Sequence, residues 1–131
     1  MNPEELIAQA QKVREKAYAP YSGFKVGAAL LTVRGNVYTG CNIENSSYGL
    51  TVCAERAAVA KAVSEGERQF KAIAINAPTD YYCSPCGACR QVLLEFGAHI
   101  EVYMSNDQGE YKLMKVGELL PAAFELKNMD E

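Results

Sequence analysis

The chain has 131 residues, 49% hydrophobic and 22% charged, with a net charge of −3. That length and balance suit one globular domain over residues 1–131, large enough to bury a real core. No basic block or stripe is present and no apolar run is long enough to span a bilayer, which argues against a nucleic-acid or membrane partner.

The opening Met1-Asn2-Pro3-Glu4-Glu5 is acidic and lacks the basic-then-apolar form of a signal peptide. Five cysteines, an odd number, then read as metal or redox chemistry in a reducing cytoplasm, not as a disulfide framework.

Residues 3 to 18 predict a helix, with Leu6, Ala10, Val13 and Ala17 on one stripe. Asn2 offers a cap, Pro3 a favoured first position, and Glu4 and Glu5 suit the positive end of the dipole. Ala19 to Gly23 breaks this helix. Phe24 to Val33 and Val37 to Ile43 flank Arg34-Gly35-Asn36 and predict a β-hairpin. Gly27, Ala28 and Ala29 suggest that something packs closely on the first strand.

Glu44 to Leu50 predicts a loop, and Thr51 a cap for an alanine-rich helix over residues 52 to 65. Phe70 to Ala77 predicts a strand, reached by a right-handed parallel crossover. After a loop to Pro85, a helix is expected from Cys86 to Phe96. Ile100 to Met104 and Tyr111 to Met114 are strands whose short link requires antiparallel pairing. Val116 to Leu120 can form a short helix. The tail should fray at its end, with Phe124 and Leu126 docking its start.

Chemistry concentrates in Cys53-Ala54-Glu55 and Pro85-Cys86-Gly87-Ala88-Cys89. Both open helices that follow strands, where the dipole and free N–H groups favour thiolates. Cys86 and Cys89 lie about one turn apart, so both can reach one ion. With Cys53 they make three ligands for a zinc with an open fourth position, one Zn²⁺ per chain. Glu55 can then act as catalytic acid and base beside a zinc-activated water. Three thiolates leave the cluster at −1, so Arg56, donating to sulfur, or Arg90 is expected to offset the charge. Two plainer readings stay open. Cys86-x-x-Cys89 alone would also suit a redox pair, and Cys83 could complete a closed four-sulfur structural site. His99 reads as a strand-edge residue and Cys41 as a small packing residue.

These motifs together resemble the zinc-dependent nucleoside and nucleobase deaminases. Tyr21-Ser22-Gly23-Phe24-Lys25-Val26-Gly27-Ala28-Ala29 and Gly40-Cys41-Asn42-Ile43-Glu44-Asn45 further resemble the small, all-cysteine, homotetrameric cytidine deaminases, from about Tyr18 to Phe124. The resemblance implies a three-layer α/β/α sandwich with a five-stranded mixed sheet. It implies hydrolytic deamination of cytidine and deoxycytidine to the uridines and ammonia, in pyrimidine salvage. By position it assigns zinc to Cys53, Cys86 and Cys89, and proton transfer to ring N3 and the leaving amine to Glu55. Phe24 would pack on the pyrimidine, while Asn42 and Glu44 would bond the ribose 3′-hydroxyl. The Ala54 N–H would meet the base carbonyl, and the Ser84 carbonyl the exocyclic amine. Tyr48 and Phe124 would serve another subunit's pocket in a homotetramer with shared active sites. A deaminase of a related aminopyrimidine, such as blasticidin S, is the nearest rival. A non-enzymatic zinc-binding module is the rival from another class.

Overall fold

The structure is a computed structural model and describes residues 1–126. The first helix, α1 (Pro3–Arg14), is capped by Asn2, whose Oδ1 accepts from the Glu5 N–H at 2.8 Å. It stops four residues short of its expected end. Tyr18 is drawn instead into a parallel bridge with Ile43, its N–H donating to the Asn42 carbonyl and its carbonyl accepting from Glu44. The hairpin forms as β1 (Gly27–Thr32) and β2 (Val37–Cys41), both shorter than their apolar runs.

Next come a 3₁₀ turn over Tyr48–Leu50, inside the expected loop, and α2 (Ala54–Ser64). Cys53, not Thr51, is the residue that precedes α2 as its N-cap; the Thr51 hydroxyl accepts from the Asn45 N–H instead. The chain continues through β3 (Phe70–Asn76), α3 (Gly87–Phe96), β4 (Glu101–Ser105), β5 (Tyr111–Lys115) and α4 (Val116–Leu119).

One five-stranded mixed sheet has the order β2-β1-β3-β4-β5. Only β3 and β4 pair in parallel, across α3; the other neighbours are antiparallel, including β4 with β5. The expected parallel crossover through α2 joins β2 to β3, which run the same way, but the two are not neighbours: β1 lies between them, because the hairpin keeps β1 as partner to both.

Strand side chains alternate between two cores. Ala29, Leu31, Ala72 and Ala74 face Leu6, Ile7 and Ala10 of α1. Ala28, Leu30, Ile73, Ile75 and Val102 face Ala54, Ala58, Leu93 and Leu119 of the other helices. The result is three layers, α/β/α. Each fully buried leucine or isoleucine contributes about 1.5–3 kcal/mol.

Two glycines set the approach of the helices. A Cβ on Gly27 would lie 1.9 Å from the Ala10 carbonyl oxygen of α1. On the other face, a Cβ on Gly40 would lie 2.5 Å from the Ala58 nitrogen and 2.6 Å from the Ala54 oxygen of α2.

After α4, Ala123 packs on the core and the Phe124 carbonyl accepts from Gln91 Nε2 at 2.9 Å. The side chains of Phe124 and Leu126 do not dock; both are exposed. The expected fraying concerns residues beyond 126, outside the described part.

Candidate active site

α2 and α3 begin side by side, and each is preceded by a cysteine in extended backbone: Cys53 for α2 and Cys86 for α3. Cys89 lies in the first turn of α3. Its N–H donates to Cys86 Sγ at 3.5 Å. The three sulfurs converge: Cys53 and Cys86 are 3.8 Å apart, Cys86 and Cys89 3.3 Å, and all lie within 4.8 Å of one another. Zinc–sulfur bonds of about 2.3 Å at tetrahedral angles require sulfurs about 3.8 Å apart. The donor set therefore fits a tetrahedral zinc with one position left for a non-protein ligand.

The protonation of the trio follows from its crowding. A hydrogen bond from the Cys89 thiol, helped by Arg56, lowers the Cys53 thiol to about 5. The same pairing and burial raise Cys89. The thiols are thus already poised to share charge, and metal binding would displace their remaining protons.

Glu55 follows Cys53 by two residues and is only 5% exposed. Burial raises its pKa, against the pull of its own backbone N–H, and the Cys53 charge raises it further. A carboxyl held this way keeps its proton to higher pH than an exposed one.

Arg56 Nη2 lies 3.7 Å from Cys53 Sγ and 3.2 Å from the Thr51 carbonyl oxygen, to which it donates. It brings positive charge to the over-negative cluster. Arg90 turns elsewhere: its Nε donates to the Pro85 carbonyl and its Nη1 to the Leu119 carbonyl, both at 2.8 Å. It braces the start of α3 through the backbone.

Cys83 is not part of the sulfur cluster. Its N–H donates to the Ser105 carbonyl, its side chain packs against the core, and burial pushes its thiol up to about 12. With its sulfur outside the converging group, Cys83 is not placed to close the site. His99 is exposed beyond α3, and Cys41 ends β2 half-buried.

The remaining expected residues lie in loops or at element ends. Ala54 is buried at the first position of α2. Ser84 is exposed before Cys86. Phe24 is 41% exposed and precedes β1. Asn42 and Glu44 lie just past β2, and neither simply faces solvent. Both groups of the Asn42 amide bond the 24–26 segment, and Glu44 accepts from the Tyr21 and Ser22 N–H groups and the Ser22 hydroxyl. Those bonds hold the Glu44 carboxyl below its ordinary pKa.

A cleft of about 410 Å³ opens here, lined by Tyr21, Ser22, Glu44, Asn45, Tyr48 and Thr51. Tyr48 stands at its edge, 81% exposed, while Phe124 is 73% exposed on the tail. Tyr21, Ser22, Asn45 and Thr51 were not expected as site residues. A serine two residues before Phe24, in a turn, is a local hydrogen-bonding signal that could have marked Ser22.

The sequence model described as the cytidine and deoxycytidylate deaminase zinc-binding region matches residues 1–105. The chain belongs to this family. Within the deaminase family it is 53% identical to the cytidine deaminase of Sporosarcina psychrophila, over 98% of this chain and 96% of that one. It is 52% identical to the cytidine deaminase of Halalkalibacterium halodurans over the full length of both. The crystal structure of cytidine deaminase from Burkholderia pseudomallei superposes with a TM-score of 0.92 at 52% identity, covering 95% of this chain and all of that one. Zinc is the metal of this family's site, and the sulfurs of Cys53, Cys86 and Cys89 are placed to bind it. Among the described residues, no helix is long and apolar enough to cross a membrane.

Proposed function

We propose that the chain is a zinc-dependent cytidine deaminase, hydrolysing cytidine and deoxycytidine to the uridines with release of ammonia, in pyrimidine salvage. The observation that carries this is Glu55. A buried carboxyl of raised pKa sits two residues from a sulfur trio that fits an open zinc site.

Cys53, Cys86 and Cys89 hold the metal. Zinc, when bound, supplies the Lewis acidity that makes water a nucleophile at neutral pH. The chain does the rest. Glu55 takes a proton from water and gives it to ring N3; oxygen adds to C4. Glu55 next takes the remaining proton of the added hydroxyl and delivers it to the exocyclic amine; the C4–N bond breaks as the C4 carbonyl forms, and ammonia leaves. Arg56 tempers the negative charge of three thiolates.

The Ala54 N–H meets the base carbonyl and the Ser84 carbonyl accepts from the amine, which together select an aminated pyrimidine. Phe24 packs on the ring. Asn42 retains a free N–H and Glu44, at the wall of the 410 Å³ cleft, a free lone pair for the sugar 3′-hydroxyl. The exposure of Tyr48, Leu50 and Phe124 supports a homotetramer in which these side chains complete a neighbour's pocket. Five free cysteines support a reducing, cytoplasmic setting.

The test is absorbance-monitored turnover of cytidine, deoxycytidine and blasticidin S, with and without a chelator. Chelator-sensitive turnover of both nucleosides is expected. Turnover of blasticidin S alone would move the substrate, and no turnover by zinc-loaded protein would discard the enzyme reading.

A further inference from the structure

Phe24 lies outside every strand. β1 begins three residues later, and the ring belongs to neither core. Its position is set through its main chain, which is gripped on both sides. The Phe24 N–H donates to Ser22 Oγ at 3.0 Å, and the Ser22 hydroxyl donates in turn to the Glu44 carboxylate. The Phe24 carbonyl accepts from Asn42 Nδ2 at 2.8 Å, while Asn42 Oδ1 accepts from the Val26 N–H at 2.8 Å. The run-off of β2 thus clamps the segment that carries the ring.

We propose that Ser22 and Asn42 are positioning residues for the pyrimidine, acting through the Phe24 main chain to set where the ring meets the base. Ser22 thereby gains a role, and Asn42 a second one besides the sugar. The proposal rests on the cytidine deaminase reading.

A double-mutant cycle tests it: kcat/KM for cytidine in the zinc-loaded wild type, Ser22→Ala, Phe24→Ala and the double variant. Loss of one such hydrogen bond should lower kcat/KM about tenfold in Ser22→Ala, mainly through KM. With Phe24 already alanine, the further loss should shrink to less than about twofold. Ser22→Thr, which keeps the hydroxyl, should restore activity. Losses that multiply in the double variant would overturn the role of Ser22.

Asn42 is tested separately, with cytidine and 2′,3′-dideoxycytidine. A side chain that acted only on sugar hydroxyls would lose its effect on the dideoxynucleoside. Acting through Phe24 besides the sugar, Asn42→Ala should lose about tenfold on the dideoxynucleoside and more on cytidine. A loss confined to cytidine would overturn its positioning role. This arm also decides the matter if Ser22→Ala does not fold. Wild type that turns over cytidine while these arms fail overturns the positioning alone; wild type without turnover overturns the cytidine reading and the proposal together.

Discussion

Glu55 shows how burial and chemistry meet in one side chain. Glu55→Gln keeps the shape but cannot move protons, so kcat for cytidine should fall by about 10²–10⁴-fold at unchanged zinc content. Its pKa also makes a stability statement for metal-free protein. Burial raises the folded value above the unfolded value of about 4.3. Between the two, the folded state holds a proton that the unfolded chain has lost. Stability from this group is therefore complete below about pH 4 and falls as pH rises through the folded pKa. Urea unfolding of metal-free protein should show Glu55→Gln gaining on wild type as pH climbs; a pH-independent difference would refute the burial argument. Arg56→Gln removes the charge near Cys53 Sγ and should weaken zinc affinity or activity about 10–100-fold, read by zinc titration and kcat. Full retention of both would exclude the charge-offset role. The spacing of Cys53, Glu55, Cys86 and Cys89 was legible because ligand spacing at a helix start is local. The exclusion of Cys83 was not, since its burial depends on the packing around it.

Elements carry these residues to one place. α2 holds Glu55 and starts at Cys53, and it rests on Gly40 of β2. Gly40→Ala would push a methyl into the α2 backbone. The expected cost is about 1–3 kcal/mol in stability, with weaker zinc binding because the helix start moves. Gly27→Ala collides with α1, which carries no ligand. It should cost stability of the same order while leaving zinc affinity and kcat of the folded protein near wild type. Equal effects of both substitutions on zinc affinity would contradict this division. Element types followed from periodicity and turn residues, but their ends did not. α1 stops early because Tyr18 pairs with Ile43, and Cys53 displaces Thr51 as the cap residue because Thr51 bonds Asn45. Both outcomes depend on partners distant along the chain or on competing local bonds.

For the whole molecule, the proposed homotetramer would make one chain an incomplete catalyst, with the exposed Tyr48 and Phe124 completing a neighbour's pocket. In the proposed tetramer, Phe124→Ala should weaken assembly or raise KM about tenfold, because a buried aromatic at an interface contributes about 1–2 kcal/mol. Sedimentation velocity and dilution-dependent activity measure this. A monomer with full activity at nanomolar dilution would rule out shared sites.

By itself the sequence determined the strand count and the antiparallel last pair, and it marked Cys53, Cys86 and Cys89 as candidate ligands and Glu55 as the proposed proton carrier, because local pattern, turn length and motif spacing carry these readings. Only the tertiary structure decided that β1 separates β2 from β3, that Cys83 stays out of the cluster, that Arg56 and not Arg90 approaches sulfur, and that Ser22 and Asn42 grip Phe24. The physical reason is the same in each case. These outcomes are set by which groups packing brings within hydrogen-bond or van der Waals distance, and several groups competed for each contact.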